Sequence, residues 1–495
     1  MDQTLVNSKA LERFSQLSLN EMKAFARFST SPYHSSNKRL AKMVGYLTYL
    51  SRRGKLSSVT KKKLFSEVFG KEALFQEGRI NLLLTQMVSL MEEFLVFESF
   101  KNDDFQYQKR KLKIFEERQW DSAFFKLADN LKQDLDQQHE TQWNLLEKFH
   151  LNWQIFYHHG TDKYQKDLEV FKSSQQYITL FFLWQSMTFA VEAKNRSKVL
   201  GEEHDLGYLN DFMEYFREEI DRSPVLSFYR KLLELFETDS IFLLKELINE
   251  VRYILPALDK ELQQNCLVTL LNMAARKYRN GFNYFKKALY ELYREGVGRK
   301  LFLENGRIND IIFTNIVSIA SANHAYNWVN RFMREHNSFL GAKVKVNAMG
   351  LSRGYYYFHR AVELKRRSDW MKVLDHLNTT QFSGINYRTR ARSLLIRAYY
   401  EYYLDIEENL SFVLDQITAF EQQLRRKKSV LGQRAVAFQN FCRETGKLAN
   451  MKFKKKNLQQ IVEYRESLKN MVPLFSKEWL IEKAGEIVEK SHRPL

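Results

Sequence analysis

Ser368-Asp-Trp-Met-Lys-Val-Leu-Asp-His-Leu377 is echoed further along by Asp405-Ile-Glu-Glu-Asn-Leu-Ser-Phe-Val-Leu414. At an offset of 36, Asp369, Trp370, Leu374 and Leu377 align with Asp405, Ile406, Leu410 and Val413. Two earlier segments share the pattern, Gly281-Phe-Asn-Tyr-Phe-Lys-Lys-Ala-Leu-Tyr290 and Ala325-Tyr-Asn-Trp-Val-Asn-Arg-Phe-Met333. Tyr284 matches Tyr326 at 42, and Trp328 with Phe332 matches Trp370 with Leu374, again at 42. Each segment opens a helix after a polar turn, and each follows a longer helix rich in Tyr, Ala and Leu. Periods of about 34 to 47 residues belong to stacked helix pairs, in which each pair buries its apolar face only against its neighbours. The spacing therefore predicts a degenerate two-helix repeat.

Outward from the repeat, apolar spacing stays helical. Leu83, Met87, Leu90, Met91 and Phe94 recur at threes and fours, as do Phe124, Leu127, Leu131 and Leu135. The 495 residues include only 18 Gly and 5 Pro, too few breakers for a β-sandwich, barrel or propeller. Punctuation falls at Ser31-Pro32, Arg53-Gly54, Gly160-Thr161, Ser223-Pro224, Leu255-Pro256, Gly296 to Gly298, Gly341, Ser383-Gly384 and Pro473. Short turns between helices favour antiparallel hairpins. The expected architecture is all-α: a small N-terminal helical domain followed by an irregular α-solenoid of antiparallel helical hairpins. Its expected divisions are an N-terminal helical domain over 1–100, a hairpin array over 101–256, repeats over 257–424, and basic C-terminal helices with a capping helix over 425–495.

Asn280-Gly281-Phe282 through Ala288-Leu289 to Tyr293 resembles the second helix of a tetratricopeptide repeat, and so does Asp369-Trp370 through Leu377. In that family a small residue opens the helix, an aromatic follows, and an Ala lies further in. The position near Leu374 is not small, and the family's terminal Pro is missing. The resemblance covers about 260–424 and implies a solenoid whose concave face binds partners. Leu11-Glu-Arg-Phe14, Leu19 to Phe28 with Ser31-Pro-Tyr33, Lys62 to Lys71 and Arg79 to Leu84 are similar to the start of a group of bacterial helical proteins of no assigned activity. The same order admits a winged-helix reading, with helices at 38–51, 60–69 and 79–94 and a strand over Phe94-Leu-Val-Phe-Glu-Ser-Phe100.

Net charge is +18 and it is concentrated. Lys38 to Lys63 holds nine basic residues and no acidic one; Lys343 to Arg397 holds twelve against three; Leu424 to Lys456 holds eleven against one. Such patches attract phosphates or acidic protein surfaces, or simply solvate outer helix faces. Tyr355-Tyr-Tyr-Phe358 and Tyr399-Tyr400-Glu-Tyr402-Tyr403 interleave with arginines, a pattern that stacks bases in single-strand binders or fills helix seams. The candidate partner- or polyanion-binding residues are Arg353, Tyr356, Arg360, Arg388, Arg390, Arg392, Arg397, Arg425, Arg426, Lys427, Lys428, Lys454, Lys455 and Lys456.

Chemistry is harder to find. The sequence holds no Walker loop, dinucleotide fingerprint, HExxH, EF-hand or CxxC pattern, so no catalytic, cofactor-binding or metal residue is assigned and no cofactor is expected. Glu202-Glu203-His204-Asp205 gathers metal-capable groups but reads first as a surface charge cluster, His158-His159 reads first as imidazoles at a helix C-terminus with a ligand pair as the alternative, and His324 as part of a helix-cap neighbourhood. Cys266 and Cys442 stand alone, which suits a reducing compartment. The uncharged run Ser173–Val191 contains Gln175, Gln176 and Gln185 and reads as a buried helix rather than a membrane span. No signal peptide is apparent at MDQTLVNSKALERF, and a cytoplasmic location is expected. The expected function is a non-catalytic scaffold for a protein or peptide partner. The alternative is an RNA- or single-strand-binding protein using the basic and aromatic patches.

Overall fold

The computed structural model describes residues 8–164, 168–200, 204, 207–453 and 458–491. Among these, 25 α-helices alternate with short turns, and a two-stranded ladder pairs Leu303 with Ile308 and Glu304 with Arg307. The chain is all-α.

It divides into two compact units. The first comprises 1–138 and 147–175, the second 139–146 and 176–495. The first begins with α1 (Lys9–Ser15), α2 (Leu19–Thr30), α3 (Lys38–Arg52), α4 (Lys61–Phe69) and α5 (Glu77–Asn102). There follow α6 (Asp104–Glu117), α7 (Asp121–Gln137) and α8 (Gln142–Tyr157), of which Gln142 to Leu146 belong to the second unit. A Ser18/Glu21 capping box starts α2, satisfying amide hydrogens the helix cannot. Phe14, Phe25, Met43, Leu64, Met87 and Phe94 sit at the centre of the resulting core.

By length and composition α5 could cross a membrane. Its apolar side from Ile80 to Phe94 instead packs on α1 to α4, as the core helix of a bundle does. The strand that the winged-helix alternative would place at Phe94–Phe100 is helical, since α5 runs unbroken to Asn102. No Gly or Pro interrupts that stretch, so nothing turns the backbone toward the wing that such a fold needs.

Helix α9 (Glu169–Leu200) starts in the first unit and belongs to the second from Gln176 on, and the second continues with α10 (Gly207–Tyr215), α11 (Arg217–Arg222), α12 (Pro224–Thr238) and α13 (Ile241–Ile254). Pro224 opens α12 behind a Ser223 cap, the place where a missing N–H costs nothing. Within α9, Leu183, Trp184, Met187 and Ala190 are buried, and the Gln185 amide donates to Gln142 Oε1 at 2.8 Å. The uncharged run is a helix with one side in the core, while Gln175, Gln176, Phe182 and Phe189 are exposed, so it is less enclosed than the sequence reading expected.

Next come α14 (Lys260–Arg279), α15 (Tyr284–Gly298), α16 (Asp310–Ala322), α17 (Tyr326–His336), α18 (Ala342–Leu364), α19 (Arg367–Thr379), α20 (Ile385–Asp405) and α21 (Leu410–Arg426). The unit ends with α22 (Lys428–Leu431), α23 (Gln433–Phe453), α24 (Leu458–Asn470) and α25 (Lys477–Ser491). Helices α15, α17, α19 and α21 start at Tyr284, Tyr326, Arg367 and Leu410, successive offsets of 42, 41 and 43. The fourth residues of the last three are Val329, Trp370 and Val413, and all three are buried. The match of Asp405-Ile406 to Asp369-Trp370 is therefore out of register. Asp405 ends α20, and Ile406 is exposed in the turn beyond it.

Neighbouring helices pack in succession from α12 to α21, and α25 packs against α23, α24 and also α14. Gly296, read as part of a break, lies inside α15 because a close approach requires it. A Cβ there would meet the Phe302 ring at 2.4 Å and Leu267 at 2.6 Å. Gly296→Ala gains about 1 kcal/mol of helix propensity and loses about 1–3 kcal/mol to overpacking. We expect a net loss, read as a lower urea midpoint; a higher midpoint would mean that the Phe302 turn yields freely.

Candidate functional site

The arginines and tyrosines singled out from sequence lie on α18, α20 and the α21–α22 turn. Helix periodicity splits each consecutive run between faces. On α18, Tyr355, Tyr356 and Phe358 turn inward and Arg353 turns out. The Tyr356 hydroxyl accepts from Asn330 Nδ2 at 2.8 Å and from Arg360 at 3.3 Å. Arg360 Nε lies 3.1 Å from Asp369, which is 1% exposed at the start of α19. Asp369 thus joins an acidic first-turn position to an ion pair, which accounts for the acidic residue there.

Helix α20 behaves in the same way. Arg390 donates to Thr314 Oγ1 and Asn315 Oδ1, both at 3.1 Å, and so fastens α20 to α16. Arg392 donates to Gln416 Oε1 at 2.7 Å and fastens α20 to α21. Arg397 is buried, with its guanidinium 5.0 Å from the centre of the Phe358 ring. Tyr399, Tyr400 and Tyr402 are buried, Tyr400 edge-on to Trp479 of α25 at 5.2 Å. Arg388 is exposed beside the Gly384 turn.

The tyrosine hydroxyls and guanidinium forks therefore join neighbouring helices. These rings have no free face for a base, and among the arginines of α18 and α20 only Arg353 and Arg388 are exposed. Burial first, then the charges of Arg397, Lys286 and His324, push the His359 imidazole down to about 3, so it is neutral at ordinary pH.

A second polar knot, missed in the sequence, ties α20 to α25. Glu401 and Lys483 are both buried and lie 2.8 Å apart. Trp479 Nε1–H donates to Glu401 at 3.2 Å, and Lys483 also reaches Glu486 at 2.6 Å. Burial pushes the Glu401 carboxyl up, against the pull of Lys483. Burial also opposes the charge on Lys483, but Glu401 and Glu486 together outweigh it and raise its pKa. One exposed acidic residue per helix turn is ordinary in sequence, so nothing local distinguishes Glu401 from a surface glutamate.

The C-terminal basic residues divide. Arg425, Arg426, Lys427 and Lys428 are exposed around the α21–α22 turn, and Arg425 pairs with Glu421 one helical turn back at 2.8 Å. Lys454, Lys455 and Lys456 lie outside the described residues, as do Glu202, Glu203 and Asp205. His324 closes the α16–α17 turn, its Nδ1 2.7 Å from Glu363, to which the Tyr326 hydroxyl also donates. Both cysteines are buried. Burial pushes the Cys266 thiol up to about 12, well away from the thiolate that nucleophilic chemistry needs.

No family model, curated protein or solved structure matches the chain.

Proposed function

We propose that the second unit is a non-catalytic helical-repeat scaffold for a protein or peptide partner carrying acidic groups. The observation that carries this reading is the division of the basic residues. Arg360, Arg390, Arg392 and Arg397 bind the helices to one another, while Arg425 to Lys428 stand together in solvent. A compact exposed basic turn suits an acidic side-chain cluster. A single strand of nucleic acid needs rings to stack on along a continuous cationic track, and here those rings are inside. Succession of helix pairs at offsets near 42 supports the repeat reading.

The test is fluorescence anisotropy of the nuclease-treated full chain with single-stranded RNA, duplex DNA and acidic peptides across a salt series. Nucleic acid binding is expected to be weak and to vanish near about 150 mM salt. Submicromolar affinity for either nucleic acid surviving there would overturn the scaffold reading.

A charge-reversed variant carrying Arg425→Glu, Arg426→Glu, Lys427→Glu and Lys428→Glu should stay folded, with only a small drop in its melting midpoint. Loss of the exposed Arg425–Glu421 pair removes at most about 1 kcal/mol. Acidic-peptide binding should fall by tenfold or more, about 1.4 kcal/mol. Unchanged binding would move the contact surface elsewhere.

A further inference from the structure

We propose that Asp121, His158 and His159 form a binding site for one divalent first-row transition-metal ion, with zinc as the type case. All three belong to the first unit, and the site is independent of the scaffold reading of the second. Asp121 is the first residue of α7, and the two histidines follow the last residue of α8. Consecutive side chains diverge on a helix. Past Tyr157 the helix has ended, and the two rings stack with centroids 4.4 Å apart, both turned toward Asp121.

The ligand atoms lie within 4.8 Å of one another. His159 Nε2 is 3.0 Å from Asp121 Oδ2, and His158 Nε2 is 3.7 Å from Oδ1. With metal–ligand bonds of about 2.0–2.2 Å, the ligands of a tetrahedral ion stand about 3.4 Å apart, so little movement is needed.

The second observation concerns His158 alone. Its side chain is 0% exposed, yet Nε2 has no hydrogen-bond partner, and neither does the buried Oδ1 of Asp121 that it faces. At 3.7 Å the two do not hydrogen-bond. Two buried polar atoms left unpaired are unfavourable, and an ordinary His159–Asp121 ion pair leaves both of them so. One cation between them satisfies both.

The surroundings fit a cation. Phe124 stacks on the His158 ring at 4.1 Å and Phe125 meets it edge-on at 4.9 Å, fixing the ring in an apolar wall. The α8 C-terminus presents its negative end to the site. His159 is half exposed, giving a path of entry and room for water as a fourth ligand. Two imidazoles and one carboxylate are borderline donors that suit zinc rather than magnesium or calcium.

Gly160 N–H donates to His158 Nδ1 at 3.1 Å, which places the neutral ring's proton on Nε2. Coordination through Nε2 requires the other tautomer, with the proton on Nδ1, so the Gly160 amide gives up that acceptor when the ion binds.

The test is equilibrium dialysis of the full, chelator-treated chain against zinc chloride, with circular dichroism as the folding control. The wild type is expected to retain one tightly bound zinc, and Asp121→Asn and His159→Ala are each expected to lose it while staying folded. His158 variants risk the core, so His158 is read in the wild type by the nitrogen-15 shift of Nε2, which should move on zinc addition as the Gly160 amide shifts. No retained zinc would overturn the proposal. So would equal retention by wild type and both variants, which marks adventitious binding, or a His158 Nε2 unmoved by zinc.

Discussion

Trp370→Ala is expected to destabilise the second unit by about 3–5 kcal/mol, the range for emptying a large aromatic from a packed core. Trp370 is 4% exposed, edge-on to Phe358 at 5.7 Å, and sits on the α19 face that packs against α18 and α20. Removing the indole leaves a space that two long helices cannot close without breaking their own contacts. Its neighbour Asp369 holds Arg360, so any shift of α19 also loosens a buried carboxylate. Trp370→Phe should lose clearly less, because a ring remains against Phe358. Urea denaturation of both variants, with hydrogen exchange across 342–405, separates a local from a global effect. An unchanged midpoint for Trp370→Ala would refute the seam assignment.

Lys483→Met is expected to destabilise by a similar amount, about 3–5 kcal/mol, because it strands the Glu401 carboxylate in the interior. The deficit should depend on pH in a defined direction. Burial already raises the folded pKa of Glu401, and losing the ammonium raises it further. A raised carboxyl favours the folded state below the unfolded value, about 4.3, and that advantage disappears as pH climbs through the folded value. The variant should therefore lie closest to wild type near pH 4 and fall away toward pH 8. A double variant, Glu401→Leu with Lys483→Met, should recover most of the loss, since an apolar pair of similar volume often replaces a buried ion pair without penalty. A pH-independent deficit would mean that Lys483 acts by packing alone.

Much of the helical order was legible because it depends on local spacing. Phe124, Leu127 and Leu131 predict α7, and Ser223-Pro224 marks the start of α12. Composition also excluded β architecture. The register of the helix starts was less legible. Asp405-Ile406 imitates Asp369-Trp370 in residue type, while the helix starts follow offsets of 42, 41 and 43 that only the turns reveal. The winged-helix alternative, with its strand at Phe94–Phe100, falls for a related reason, since a run of aromatics suits either element and the unbroken helix before it decided the outcome.

Binding residues were the least legible. Charge counts found the basic segments but could not tell a guanidinium in solvent from one fastened to a neighbouring helix. Arg425 and Arg390 look alike in sequence; one stands in water, and the other bridges to Thr314 and Asn315, more than seventy positions away. The Glu401–Lys483 pair and the meeting of Asp121 with His158 and His159 likewise join residues far apart in the chain, on different helices or at their ends. By itself the sequence determined the all-helical class, several helix positions and the local charge, because these follow from residue propensity and a 3.6-residue period. Tertiary structure alone decided which charges are satisfied within the protein and which groups meet, because burial and partner distance are set by helices that pack after the chain has turned back on itself.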